Sequence, residues 1–357
     1  MSNLPRVAVI ILSWNGASYL REFLPSVLRS GYPNLEVIVA DNDSSDGSPE
    51  LLKESFPQVR LIQNGANLGF AAGYNKALKE VEADYYVLLN QDVEVEAGWI
   101  EPLVEALEKN PGAAAAQPKI RAYKERKSFE YAGAAGGFLD LAAYPFCRGR
   151  LFDTVEEDRG QYDEAMEIFW ASGAALFIRS AVWHRFGGFD PVLFAHMEEI
   201  DLCWRIKRAG YSVLSVPASL VYHLGGGSLP MGHPRKTYLN FRNNLIIQLK
   251  NEKTGRLLRA YPLRLLLDGV AALRALLQGH RADFSAIARA HFYVHFRYFR
   301  LFAARRKTQR LIRQLRVAPD NETGRYRGFI IVDYFIKRRK YFSRLRPGAF
   351  MRKEKAS

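Results

Sequence analysis

Apolar runs at Val7–Leu12, Leu35–Ala40, Val59–Ile62 and Tyr85–Leu89 punctuate the first third of the chain. They are short and unbroken, as in parallel strands buried on both faces. Between them the pattern turns helical. Residues Ser18–Leu28, Pro49–Ser55 and Phe70–Val81 show helical spacing or helix-start chemistry, with Ser48 as a cap and Pro49 in the first turn. Strand and helix signals alternate, so the pattern predicts a βαβ series and a parallel sheet.

Further along, Trp170–Arg179 reads as a strand entered through small residues, and a helix is expected from Met197 to about Ala209. On that helix Glu198, Asp201 and Arg205 share one face, while Leu202 and Ile206 point inward. A helix carrying Phe241-Arg242-Asn243-Asn244 follows. From about Arg256 the pattern becomes long helices. Leu257, Leu258, Tyr261, Leu265, Leu266, Val270, Leu273 and Leu277 form apolar faces interrupted by Arg259, Arg264 and Arg274, and His291–Phe302 mixes aromatics with Arg297 and Arg300.

The charge balance divides the chain at the same place. The net charge is +14, yet Lys250 onward holds 27 Lys and Arg against 7 Asp and Glu, leaving the preceding part acidic. A catalytic body over 1–250 and a basic helical region over 251–357 are expected. The basic region points to an anionic membrane surface, with packing on the body or on a second subunit, hence a homo-oligomer, as the other use of its apolar faces. Only Cys147 and Cys203 occur, too few for a disulfide framework or a cysteine zinc site, which fits a reducing compartment. No stretch approaches the roughly 18 apolar residues of a span, and the run before Ser13 is shorter than a leader's apolar region. The expectation is a cytoplasmic protein attached peripherally to the inner face of the membrane.

In open α/β sheets, ligands bind at the carboxyl ends of the strands. The four early strands end in Ser13, Trp14 and Asn15, in Asp41 and Asn42, in Asn64 and Asn67, and in Asn90, Gln91 and Asp92. One crevice would collect them. Asp41 suits the N3–H of uracil or thymine, although Asp41-Asn42-Asp43-Ser44 also has the composition of a plain turn. Gly69 and Gly73 either let backbone approach a phosphate at the next helix start or let helix and sheet pack closely. Glu198, Glu199 and Asp201 offer carboxylates able to take a hydroxyl proton, while Asp201 with Arg205 also makes a structural pair. Trp170 either stacks on a sugar face or belongs to the core. Arg242 could stabilise a departing diphosphate.

Ser13-Trp14-Asn15, the Asp41–Ser48 turn, Asn67-Leu68-Gly69-Phe70, Leu88-Leu89-Asn90-Gln91-Asp92 and Glu198–Arg205 occur in the order seen in the family 2 glycosyltransferases, which the chain resembles over roughly its first 250 residues. The rhamnosyltransferase-like branch is the most similar. The resemblance implies a GT-A fold, a nucleotide-sugar donor, a divalent cation (Mg²⁺ or Mn²⁺) and inversion at the anomeric carbon. It also implies that Asp41 reads the base, that the Asn90–Asp92 motif meets ribose and metal, that Glu199 is the base, and that His223 contacts metal or diphosphate. Trp170, Ser172 and Gly173 would floor the sugar and acceptor pocket. Asn90 departs from the family motif, because an amide replaces its first acid and leaves the cation to Asp92, His223 and diphosphate oxygens.

The implied reaction moves a sugar from dTDP-rhamnose or a UDP-sugar to a hydroxyl of a glycan, with a polyprenyl-linked acceptor fitting a membrane-bound enzyme. A sugar nucleotidyltransferase would need a Gly-rich basic loop after the first strand, which Ser13-Trp14-Asn15-Gly16 lacks. A nucleic-acid-binding protein would suit the basic tail but not the acidic body, so no nucleic acid partner is expected. An inactive binding subunit, suggested by Asn90, is opposed by the retained Asp92, Glu199 and Asp201.

Overall fold

The computed structural model describes residues 4–225 and 233–351. The early apolar runs form β1 (Val7–Ser13), β2 (Leu35–Asp41), β3 (Arg60–Gln63) and β4 (Tyr85–Asn90), connected by α1 (Ala17–Leu28), α2 (Ser48–Ser55) and α3 (Gly69–Ala77). These strands pair in parallel in the order β3, β2, β1, β4. Ser48 is not the cap of α2. Gly47 precedes the helix in a left-handed conformation, φ 83°, and Asp46 accepts from the Ser48 and Ala17 backbone N–H groups, serving the starts of both α1 and α2.

Beyond β4 come β5 (Val93–Val95), α4 (Glu101–Lys109) and β6 (Ala113–Ala122). Next is an antiparallel meander of β7 (Gly137–Leu139), β8 (Pro145–Cys147), β9 (Arg150–Leu151) and β10 (Thr154–Val155). The chain re-enters the main sheet through β11 (Met166–Ile168) and β12 (Ala175–Arg179), continues into α5 (Ser180–Phe186) and α6 (Glu198–Arg208), and completes the sheet with β13 (Ser212–His223). The sheet is mixed rather than wholly parallel, because β12 runs antiparallel between β4 and β6 and β11 runs antiparallel on β13. The strand expected over Trp170–Arg179 begins only at Ala175.

Both faces of the sheet are covered, as the unbroken apolar runs require. Ala8, Ile10, Ile38, Ala40, Tyr86 and Leu88 pack toward α3, α5, α6 and the meander, while Val7, Val9, Val37, Val39, Tyr85 and Val87 pack toward α1, α2 and α4. Cys147 and Cys203 are buried and free.

The remaining helices are α7 (Pro234–Asn251), α8 (Thr254–Leu277), α9 (Arg281–Phe296) and α10 (Tyr298–Gln314). The end of α7 is buried in the body, where Lys250 and Asn251 bind Asp201. Arg305 of α10 donates from Nη1 to the carbonyls of Leu249 and Glu252, both at 2.7 Å, satisfying acceptors that the end of α7 leaves over. The stretch after α10 returns to the body. Tyr326 N–H donates to Leu139 O at 2.8 Å, and Asn321 donates to Tyr211 O at 3.0 Å.

Candidate active site

Ser13 and Asp41 form the last rung of the β1–β2 pairing, so they open onto the carboxyl end of the sheet. Asp41 is buried, and its two oxygens have different employment. Oδ2 accepts from the N–H groups of Asp43 and Ser44 at 3.1 and 3.0 Å, which is the expected turn. Oδ1 is buried with no hydrogen-bond partner among the described residues. A buried acceptor left unmade costs about 1–3 kcal/mol, so a ligand N–H has something to gain there. Trp14, the next residue after the rung, is 49% exposed.

Other strand-end residues are spent on the protein itself. Asn15, at φ 50°, joins two loops: its N–H donates to Ser44 Oγ and its Oδ1 accepts from Ser45 N–H, each at 2.9 Å. Ser13 Oγ donates to Gln91 Oε1 at 2.8 Å, in a space that a Cβ on Gly16 would fill. Asn42 was expected at the donor, yet its Nδ2 donates to Gly69 O and its Oδ1 accepts from Asn64 Nδ2. A Cβ on Gly73 would lie 2.9 Å from Asn42 Oδ1, so this glycine serves packing of α3 on the strand ends. The helix start is no free anion site either. Asn67 Oδ1 accepts from Gly69 N–H at 3.1 Å, and the N–H groups of Phe70 and Ala71 both donate to Phe194 O.

At the end of β4, β5 pairs with β13 and brings His223 to Asp92 from far along the chain. His223 Nε2 lies 3.2 Å from Asp92 Oδ1 and 3.3 Å from Asn90 Nδ2, while Nδ1 lies 3.3 Å from Glu130 Oε1. Burial alone would push the imidazole down, but Glu130 and Asp92 outweigh it and push its pKa up to about 10. Glu130, buried in the connection before β7, has no spacing signal in the sequence and was missed. The sequence continues from His223 into Leu224 and a glycine-rich run, Gly225–Ser228, most of which lies outside the described residues.

The end of β4 and the start of α6 come together at Gly173 and Ala174. Asn90 N–H donates to Ala174 O at 3.0 Å, and a Cβ on the adjacent Gly173 would lie 3.8 Å from Cγ and Cδ of Glu199 and 3.7 Å from the Phe70 ring. These are ordinary contact distances, so the Glu199 carboxyl lies against Gly173, beside the end of β4. Glu199 is partly buried, and burial pushes its pKa up to about 7. Glu198 is buried more deeply and has an unpartnered Oε2. Burial, then the Glu199 and Asp201 charges, push it well above the usual carboxylate range.

Asp201 is a different kind of acid. Its Oδ2 accepts from Arg205 Nε at 2.9 Å, and its Oδ1 accepts from Lys250 Nζ at 3.1 Å and Asn251 Nδ2 at 2.7 Å. Burial would raise its pKa, but Lys250 and Arg205 hold it below the usual range. It fastens α6 to α7 and is not placed as a base. Arg242 is likewise corrected, because its Nη2 donates to Val192 O and Leu193 O rather than pointing to a diphosphate. Its neighbour Asn243, also missed, donates from Nδ2 to the carbonyls of Leu193, Ala195 and His196. These bonds hold the approach to α6, where Phe194, His196 and Met197 all have positive φ, a conformation that strains non-glycine residues. Trp170 is core, with Nε1 donating to Phe138 O at 2.9 Å and its ring over Gly137. Ser172 is tied to Gln117 and Ala132, and Gly173 of that trio lies against Glu199 and Phe70.

A mixed α/β sheet with strand-end polar groups, joined by a carboxylate from the helix after it, defines a GT-A glycosyltransferase. Residues 8–186 match the pattern of glycosyl transferase family 2, and the chain belongs to that family. It is 27% identical over 283 residues to N-acetylglucosaminyl-diphospho-decaprenol L-rhamnosyltransferase of Mycobacterium tuberculosis, covering 75% of this chain and 91% of the relative. Pre-mycofactocin glycosyltransferase of the same species is 27% identical over 65% of this chain, which spans 49% of that relative. Among solved structures, the mannosyltransferase of Pyrobaculum calidifontis in complex with GDP-Man and Mn²⁺ aligns with a TM-score of 0.51 at 17% identity, covering 88% of both chains. GalNAc-T7 with UDP, GalNAc and Mn²⁺ aligns with a TM-score of 0.53 at 18% identity, over 69% of this chain and about half, 48%, of its own length.

Among the described residues no cluster of three or more His, Cys, Asp or Glu side chains is placed to hold a metal ion. The donor set at the β4 end, Asp92 with His223, fits a cation only in company with phosphate oxygens, the arrangement hard cations accept. Among the same residues no helix is long and apolar enough to cross a membrane.

Proposed function

We propose that this glycosyltransferase moves a sugar, with inversion, from a uridine or thymidine diphosphate sugar to a hydroxyl of a polyprenyl-linked glycan at an anionic membrane surface. The observation that carries the reading is the partly buried Glu199, in no ion pair among the described residues, against Gly173 at the strand end that also presents Asn90 and Asp92. A carboxyl raised to about 7 is matched to proton removal near neutral pH. Glu199 takes the acceptor hydroxyl proton as the oxygen bonds to the anomeric carbon, and the bond from that carbon to the diphosphate oxygen breaks, its electron pair leaving with the diphosphate. No covalent enzyme intermediate forms.

Asp41 Oδ1 accepts from the base N3–H, and Trp14 offers an exposed indole beside it. Asp92 would hold Mg²⁺ or Mn²⁺, joined by His223 only once the imidazole has given up the proton that Glu130 and Asp92 stabilise on it, and the cation when bound would neutralise charge on the diphosphate. The choice of donor and acceptor rests on similarity to the mycobacterial rhamnosyltransferase, whose name gives a decaprenol-linked acceptor. Calorimetry with UDP, dTDP, GDP and ADP, with and without Mn²⁺, tests the donor half. Binding restricted to UDP or dTDP and weakened in Asp41→Ala is expected; equal binding of GDP or ADP, or an unaffected variant, would sink the assignment.

A further inference from the structure

Helix α8 is built inside out. Its buried face consists of Ala260, Arg264, Asp268 and Ala272, spaced four apart, while Leu266, Val270, Leu273 and Leu277 on the outside are 54–78% exposed. The inward charges are satisfied: Arg264 Nε donates to Asp268 Oδ1 at 2.8 Å, and Tyr144 Oη donates to the same oxygen at 2.6 Å. Helix α9 packs on α7 and α8, burying Ala286, Ile287, Ala290 and Val294, and it too carries apolar groups outside. Phe292 and Phe296, with Phe299 at the start of α10, are 71, 76 and 88% exposed, and the first two rings stack at 5.7 Å.

We infer that the outward faces of α8, α9 and the first turn of α10 are a membrane-docking surface for an anionic lipid leaflet. Charge decides between lipid and a second copy of the chain. Residues 254–314 hold 13 Lys and Arg but only Asp268 and Asp283 as acids. Asp268 is buried, and Asp283 accepts from Thr237 at 2.7 Å. Two such faces would set like charges together, whereas anionic headgroups complement them. Aromatic side chains beside arginines are the composition of an element lying in the interface rather than crossing it. Arg305, which the sequence groups with Arg306 and Lys307, is spent on α7; Arg306 and Lys307 are exposed. The surface is argued from exposure and charge, while its use in reaching a lipid-linked acceptor rests on the proposed transfer reaction.

Flotation of the whole chain with vesicles of phosphatidylcholine, or of equal parts phosphatidylcholine and phosphatidylglycerol, tests this. The protein is expected to float with the mixed vesicles alone and to be released by salt. Phe292→Ser, Phe296→Ser and Phe299→Ser together should lower partitioning at least about tenfold with melting temperature and nucleotide binding unchanged. Arg300→Gln, Arg306→Gln and Lys307→Gln together, which leave the apolar face intact, should weaken the preference for phosphatidylglycerol. Wild type unbound to mixed vesicles, the aromatic variant floating as wild type does, or a wild-type dimer made monomeric by that variant would each overturn the assignment. Turnover on a water-soluble acceptor separates the two claims. Turnover without vesicle binding defeats the surface alone, and vesicle binding without turnover defeats the transfer reading alone.

Discussion

The sheet body and the C-terminal helices solve burial in opposite ways. In the body, Val9, Val39 and Val87 are wholly buried and the chemistry-bearing side chains gather at the strand ends. In α8 the wholly or nearly buried side chains include Arg264 and Asp268, and Leu258, Leu266, Leu273 and Leu277 face out while Leu257 and Leu265 pack partly buried on the core. Apolar groups avoid water wherever an alternative exists. On the proposed reading, the helices are composed for a second, less polar environment on one side, while the body is composed for water around a cleft. A finer contrast runs through the acids. Asp201 and Asp268 are buried with cationic partners and hold elements together, whereas Glu199 is partly buried with no cationic partner among the described residues, as the proposed base requires.

The largest effects should come from breaking the hidden charges. Removing one partner of a buried ion pair costs about 3–5 kcal/mol, so Asp268→Ala and Asp201→Ala are each expected to lower the unfolding free energy by that much, read from denaturant titrations. A stable but inactive Asp201→Ala would return Asp201 to the catalytic candidates. In the cleft, Asp41→Ala removes an acceptor to a ligand N–H and should weaken UDP or dTDP binding by roughly ten- to a hundredfold, the value of a charge-assisted hydrogen bond; calorimetry reads it.

Acidity sharpens the same contrast. The folded-state pKa of Glu199 is raised, so its contribution to stability is full below the ordinary carboxylate range and is lost as pH rises through about 7. Asp201, held low by Lys250 and Arg205, contributes in the opposite sense, with stability lost on acidification. Glu199→Gln should therefore flatten the decline in melting temperature between about pH 5 and 8, followed by scanning calorimetry. The smallest effect is expected outside: Leu266→Ser and Leu277→Ser should each change stability in vesicle-free buffer by no more than about 0.5 kcal/mol. A large loss would mean that these leucines are covered by protein.

Much of this was legible because the sheet is written in unbroken apolar runs and its site in strand-end residues. The boundaries of β1, β2 and β4 lie within a residue of the apolar runs at Val7, Leu35 and Tyr85. What escaped depends on where a side chain turns after the backbone is placed. Asn42, Trp170 and Ser172 have the composition of ligand contacts, yet backbone carbonyls and amides already occupy them. Glu130 and Asn243 carry no periodicity, and only the tertiary fold brings them to His223 and to the bend before α6. Arg264 reads as a polar interruption of an outward face, but Asp268 and Tyr144 supply partners inside and reverse it. The antiparallel entry of β12 follows from the long excursion through the meander, which apolar runs alone do not orient.

The measurement that tests the account most directly is sugar transfer by Glu199→Gln, with nucleotide binding read in the same preparation. Loss of a general base predicts a fall in kcat of roughly 10²–10⁴ with UDP or dTDP affinity unchanged, and a wild-type rate that climbs with pH toward about 7 before levelling. Undiminished turnover in the variant would contradict the assignment of Glu199 and with it the reading of the cleft.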